Sequence, residues 1–466
     1  MKKSLTILAI AALCAPTLWG DNNNDGSISP EILQRLKASY TNTPADRALR
    51  NAMSRNDINE LAQNADNLRD LNTDFSHKVH SKGITNQKSS GRCWLFTGLN
   101  VLRAQMMAEH DLAELQLSQN YNFFFDQLEK SNLFLQAIID TAEKPIEDKS
   151  VEWLFKNPLS DGGQYTGISD NIMKYGIVPA SAMPETYSSN NTSRISKLIG
   201  LKLKEFGLEL RKMKAAKSSN ADIQARKEAM LSDVYRMLAL SFGVPPTEFE
   251  WTRKNSKGQI IDRRTYTPLE FYHEYAGNNL KDDYVMLMND PTREYFKLYE
   301  IEYDRQAYDG KNWTYVNLPI DEIKKMAIAS IKDSTMMYFS CDVGQSFDRE
   351  RGILDVNNYD YGSLFGTTFP MNKAERISTF SSASSHAMTL MAVDIDKDGK
   401  PVKWMVENSW GQGANNGHLI MTDEWFDEFM FRLVVDKKYA TKKTLEVLKQ
   451  KPVKLPSWDP MFAEEL

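Results

Sequence analysis

Cysteine is scarce in this sequence, with three residues in 466, at positions 14, 93 and 341. A disulfide-stapled scaffold is therefore excluded, and the fold must rest on a core drawn from the 41% of residues that are hydrophobic. Histidine is also sparse, at six residues, and His77, His80, His110, His273 and His418 are too scattered to argue for a metal site. No cofactor is implied. Long apolar runs are missing except at Leu5–Leu13, which follows Lys2-Lys3 and precedes the small-residue zone Ala15 to Gly20. That run is too short to span a bilayer, and residues 1–20 read as an export signal, giving a periplasmic or extracellular mature chain without an integral membrane segment. Cys14 raises lipid anchoring, but Leu13 immediately before it makes a poor lipidation site. An excess of positive charge is lacking too. The net charge is −5, and removing Lys2 and Lys3 with the signal takes two more positive charges, to −7. This balance argues against a broad nucleic-acid footprint. The basic run Lys202–Lys217 reads first as a solvated helix face.

Asn86-Gln87-Lys88-Ser89-Ser90-Gly91-Arg92-Cys93-Trp94-Leu95-Phe96 places a glutamine six residues ahead of a cysteine that opens an apolar helix. Backbone N–H groups and the helix dipole favour an anion at such a position, which lowers a thiol's pKa and raises its thiolate fraction. A lone cysteine is more often a small buried hydrophobe. The partner set far along the chain changes that balance. His386–Ile395 and Pro401–Gly411 are β-prone runs flanking Asp396-Lys397-Asp398-Gly399-Lys400, a hairpin signal. A hairpin symmetric about 397 pairs positions that sum to 794, which would set His386 opposite Asn408. An asparagine oxygen on one imidazole nitrogen leaves the other to take the proton of Cys93. Gln87 has the spacing of an oxyanion-hole side chain, and Trp410 would roof the His–Asn contact against water. Taken singly, the histidine reads as a satisfied core or surface residue, and Asn-Ser-Trp-Gly reads as a strand exit.

The order Cys, His, Asn is the papain arrangement. The local pattern departs from papain and the cathepsins, because Ser90 stands where that family carries a disulfide cysteine. Positions 93 and 386 are also 293 residues apart, against roughly 130–150 in papain-like chains, so a large insertion must intervene. The chain resembles the bleomycin hydrolase and aminopeptidase C branch of the papain superfamily at residues 86–103, Asp161–Gln164, Pro268–Tyr272, Cys341–Gly344, Met371–Arg376, Lys403–Gly411, Met421–Trp425 and Leu455–Met461. The resemblance implies an α+β, papain-like fold and a cysteine aminopeptidase acting on peptides with a free N-terminus. It also implies a homohexamer with interior active sites, and a C-terminal arm whose terminal carboxylate, here on Leu466, pairs with the substrate's α-amino group. The ending Ala463-Glu464-Glu465-Leu466 is more acidic than is usual for that branch. Endopeptidase or acyl-transfer action from the same residues, and a non-catalytic hexameric shell, are the competing readings. Gly162-Gly163 would offer a backbone edge to substrate, as in papain-like clefts, with a plain turn as the alternative.

The expected organisation is a helical subdomain over 21–184 carrying Cys93, an inserted oligomerisation region over 185–330, a β-rich subdomain over 331–450 carrying His386 and Asn408, and an arm over 451–466. Helices are expected at Pro30–Ser39, 45–64, Cys93–Glu109, 194–217, 220–240 and Ile320–Lys332, and strands at 284–289, 297–303 and 336–340. Cys341 reads as a buried strand residue, which leaves Cys93 as the reactive thiol of an exported protein and raises reversible oxidation. Asp21–Ile28 resembles half an EF-hand loop, but Ile32 stands at the twelfth position, so a linker ending in the Ser29-Pro30 helix start is the better reading.

Overall fold

The computed structural model describes residues 26–67, 71–277 and 279–462, so the expected export signal and Leu466 lie outside the described residues. Two compact units divide the chain, Met1–Ala62 and Gln63–Leu466. The described part of the first is helical. Pro30–Ser39 forms because the Ser29 hydroxyl accepts the N–H of Ile32 at 3.3 Å and Pro30 pre-sets the first turn. The single helix expected over 45–64 is instead two, Pro44–Met53 and Ile58–Ala62. Asp57 breaks it: its carboxylate accepts the N–H of Asn59 at 2.8 Å, a local bond that competes with helix continuation.

The second unit is built around the helix Cys93–Glu109, which packs on the strand His386–Ile395. Leu95, Leu99, Leu102 and Met106 are buried as their spacing requires, but so are Trp94, Phe96, Asn100 and Arg103. This helix is enclosed on nearly all sides. The helix Gln119–Asp140, absent from the sequence reading, supplies one wall, starting where the Ser118 hydroxyl accepts the N–H of Tyr121. The long helices Ser193–Ala215 and Asn220–Phe242 pack against it.

The large sheet runs, edge to edge, Val453–Leu455, Lys297–Ile301, Thr314–Asn317, Tyr284–Met288, Met430–Asp436, Met337–Cys341, His386–Ile395, Pro401–Glu407, His418–Thr422, Ile353–Leu354 and Phe347–Asp348, with His77–Lys78 added beside His386–Ile395. Besides His77–Lys78, it therefore takes strands from residue 284 onward, upstream of the boundary expected at 331. The inserted stretch is mixed, helical at first and sheet-forming afterwards. A separate hairpin, Phe249–Lys254 with Ile260–Tyr266, also lies in that stretch.

The hairpin register corrects the sequence expectation. Thr389 pairs with Glu407 and Val393 with Trp404, so paired positions sum to 796 or 797 rather than 794. The turn explains the shift. The Asp396 carboxylate accepts the N–H groups of Asp398 and Lys400, each at 2.9 Å, which fixes a five-residue loop, and irregularities at Leu390/Ala392 and Asp394/Ile395 complete the offset. His386 instead stands opposite Cys341 on the neighbouring strand, and Asn408 lies one residue beyond the end of Pro401–Glu407.

Candidate active site

Three segments converge on Cys93. The first is the loop that delivers it. Arg92, fully buried, donates from one terminal nitrogen to the Glu185 carboxylate at 3.1 Å, has its other terminal nitrogen within ion-pair distance at 2.9 Å, and lies over the rings of Phe96 and Phe123. Its Nε donates to the Ser90 hydroxyl at 3.0 Å, and that hydroxyl donates to the Gln87 carbonyl. Ser90, at the position of the missing cysteine, therefore joins the loop by hydrogen bonds where papain uses a covalent bridge. The Asp161 carboxylate accepts the N–H of Gly91 at 3.2 Å and the Thr192 hydroxyl, while its carbonyl accepts Trp94 Nε1 at 2.8 Å.

The second segment carries the histidine. The strand starts at His386, and the next residue, Ala387, donates its N–H to Cys93 Sγ at 3.4 Å. Cys93, His386 and Asn408 are all buried, at 0, 2 and 2% exposure. The serine run before the histidine is bound rather than loose: Ser382 donates to the Asp342 carboxylate at 2.7 Å, Ser384 to the Ser340 hydroxyl at 2.8 Å, and the Ser385 N–H to the Cys341 carbonyl at 3.0 Å. Burial holds the Asp342 carboxyl above its ordinary pKa. Nothing in the sequence singled out this brace, although a run of four serines in five positions ending at a histidine is the signal that would have found it.

The third segment carries the asparagine. Asn408 Oδ1 lies 2.9 Å from His386 Nε2 and also accepts the N–H of Ser409 at 2.8 Å. A second donor at the same oxygen identifies it as the carbonyl end of the amide, so Nε2 is the protonated nitrogen and Nδ1 the basic one. Trp410 stacks on His386 with centroids 4.7 Å apart and 29° between planes, and Arg349 lies over Trp410 at 5.0 Å. The offset register does not separate the pair, because His386 and Asn408 each stand where their strand meets a loop.

Gln87 is held at both ends of its amide. Oε1 accepts the Ser409 hydroxyl at 2.7 Å and Nε2 donates to the Ser90 carbonyl at 2.7 Å, leaving the second N–H of the amide for another acceptor. Its backbone N–H donates to the Ser409 carbonyl at 2.8 Å. Gly162, expected to share a backbone edge with Gly163, is engaged by the protein on both sides, donating to Ser160 Oγ at 3.0 Å and accepting from Lys130 Nζ. A Cβ at Gly163 would lie 2.1 Å from Gln306 Nε2 and 2.8 Å from Trp94, so packing alone already demands glycine there.

The C-terminal arm is anchored up to its last described residue. Ser457 donates to the Glu302 carbonyl at 2.9 Å, Asp459 pairs with Arg293, Arg432 donates to the Met461 carbonyl at 2.9 Å, and Phe462 meets Trp153 edge-on at 5.2 Å. Phe462 and Trp153 share a cavity of about 260 Å³ with Lys130 and Ser160. Among the described residues, no three His, Cys, Asp or Glu side chains converge as a metal site, and no helix is long and apolar enough to cross a membrane.

Comparison with known proteins agrees with this architecture. The model of the Peptidase C1-like family matches residues 27–462. Human bleomycin hydrolase is 40% identical over 400 residues, covering 84% of this chain and 88% of that protein. Aminopeptidase C of Lactobacillus delbrueckii subsp. lactis is 36% identical over 442 residues, covering 94% and 98%. The crystal structure of PepW from Lactobacillus rhamnosis HN001 superposes with a TM-score of 0.91 at 41% identity, covering 94% of this chain and all of that one. With its α+β, papain-like fold, this chain belongs to the Peptidase C1-like family and is a cysteine peptidase related to bleomycin hydrolase and aminopeptidase C.

Proposed function

We propose that the protein is an aminopeptidase that removes N-terminal residues from peptides through Cys93, His386, Asn408 and Gln87. The observation that carries this reading is the doubly fixed Asn408 oxygen, which presents Nδ1 of His386 as the base while Cys93 Sγ sits against the next residue's N–H. Cys93 attacks the first peptide carbonyl, with its proton taken by His386. The oxyanion is met by the Cys93 backbone N–H and the remaining Gln87 amide N–H. His386 then protonates the leaving amine, and water hydrolyses the thioester. Trp410 shields the His–Asn bond and strengthens it by lowering the local dielectric. Gly163 offers its backbone to the substrate.

The exopeptidase character of the reading rests on the arm. Its anchored course from Ser457 to Phe462 supports delivery of the Leu466 carboxylate toward a substrate ammonium, and assembly as a homohexamer would enclose the site. The name of the aminopeptidase C relative favours the same specificity. Cys93→Ala is expected to abolish release of free-amine aminoacyl fluorophores and labelling by an epoxide inhibitor; full activity in that variant sinks the mechanism. Removal of residues 463–466 is expected to raise the relative rate on N-acetylated peptides. Equal rates on blocked and free substrates in the intact protein would instead identify an endopeptidase.

A further inference from the structure

The guanidinium of Arg103, on the Cys93 helix, reaches both the segment that leads to Gln87 and the strand end that leads to Asn408. It lies on the Cys93 helix, ten residues after the nucleophile, and is 1% exposed. One terminal nitrogen donates to Glu407 Oε1 at 2.8 Å, and Glu407, also 1% exposed, immediately precedes Asn408. The same nitrogen reaches the Gly83 carbonyl at 3.3 Å and Ser81 Oγ at 3.5 Å, on the segment that leads to Gln87, and the other reaches Gln116 Oε1 at 3.4 Å. That segment is tied in turn to the asparagine loop, since the N–H of Gly411 donates to the Thr85 carbonyl at 2.9 Å.

As a stabilising device this pair is poorly made. Among the described residues Arg103 Nε and Glu407 Oε2 are buried without hydrogen-bond partners, and burial pulls the Arg103 pKa down against the attraction of Glu407. Desolvating two charges is costly, and a buried, incompletely bonded pair often returns no more than well-packed apolar side chains would. What the pair does supply is a directional link between the nucleophile helix and the strand end that sets Asn408.

We infer that Arg103 and Glu407 are positioning residues that hold the Cys93 helix, the Gln87 segment and the Asn408 strand end in mutual register for catalysis. This rests on the reading of Cys93, His386 and Asn408 as the catalytic set. The pair touches no substrate and acts through Asn408 and Gln87. A displacement of about 1 Å at such a site costs on the order of a hundredfold in rate, so the effect belongs in kcat and in the formation of the thiolate–imidazolium pair.

The test uses the full chain. Wild-type protein is first alkylated with iodoacetamide, and Cys93 modification is followed against loss of peptidase activity; activity that survives complete modification refutes the reading of the site itself. The double variant Arg103→Met with Glu407→Met removes both charges and keeps similar volume. It is expected to melt no lower than wild type, yet to lose about ten- to a hundredfold in kcat with KM changed less than about threefold. Its Cys93 alkylation near pH 6 is expected to slow in proportion, with little change near pH 9. A folded double variant with wild-type kcat and alkylation profile overturns the inference while leaving the site intact. Should that variant not fold, Glu407→Asp retains both charges and withdraws the carboxylate by one methylene; unchanged kcat and alkylation there overturn the inference equally, and a loss of about tenfold with unchanged melting supports it.

Discussion

Gln87 shows how much of a residue's chemistry is set by what holds it. In its proposed role as oxyanion donor Gln87 must point its N–H before charge develops, and the Ser409 hydroxyl on Oε1 together with the Ser90 carbonyl on Nε2 keeps the amide from turning over. Gln87→Ala is expected to lower kcat by on the order of a hundred- to a thousandfold. Ser409→Ala, which leaves the amide held only by the Ser90 carbonyl, is expected to cost about 1 kcal/mol, roughly fivefold in kcat, read in steady-state kinetics on one fluorogenic substrate. An equal loss in both variants would mean that Ser409 has its own contact with substrate. Gly163 lies at the same scale. Gly163→Ala drives a methyl group into the Gln306 amide and the Trp94 ring, and the expected result is a loss of about 1–3 kcal/mol in urea unfolding, accompanied by a raised KM. These two positions also mark what sequence could and could not yield. Gln87 and Gly163 were visible as residue types at telling places. Ser409, Gln306 and the Asp342 brace were not, because each gains its role only from a partner forty or more residues away.

Elements were legible where the local signal and the tertiary demand agreed. Cys93–Glu109 and Ile320–Lys332 have the expected bounds, and Ser29 and Ser219 cap helices through their own hydroxyls. Gln119–Asp140 escaped notice because it is buried on most of its surface, including Asn120, Asn122, Asp126 and Gln127, so polar residues interrupt the apolar stripe that marks an ordinary surface helix. The hairpin register was misread because the Asp396 side chain builds a five-residue loop that strand alternation cannot reveal. The short helix Lys373–Ser378 adds a pH-dependent element. Lys373 donates to Asn289 Oδ1, the Asp427 carbonyl and the Met430 carbonyl, and burial pushes its ammonium down to about 7. The unfolded lysine titrates near 10.4, so between pH 7 and 10.4 the unfolded chain binds one more proton and stability rises with pH. Unfolding free energies at pH 7.5 and 9.5 are expected to climb in wild type relative to Lys373→Met, by up to about 1.4 kcal/mol per pH unit. Parallel curves would show that the ammonium stays charged, held by its three acceptors.

At the scale of the whole molecule, the proposed exopeptidase specificity rests on the arm. The family resemblance made the arm's existence readable, but its anchors lie in sequence-distant residues, Arg293, Glu302 and Arg432. Asp459 is 7% exposed, and burial raises its pKa despite Arg293, so the contact depends on close geometry. Asp459→Asn is expected to loosen the arm and lower the preference for free over N-acetylated substrates by about tenfold, the worth of one charge-assisted contact, measured as a ratio of kcat/KM values. A ratio that does not move would place the discrimination elsewhere.

The loop ahead of the nucleophile is fastened by Ser90, Arg92, Glu185 and Asp161, and among the described residues no disulfide joins Cys93 to Cys341. The redox state of the reacting sulfur is thereby separated from the integrity of the frame around it. A strong reductant has no bridge to cut in this loop, so oxidation of Cys93 to the sulfenic level and its reversal by thiols can be cycled without unfastening the site.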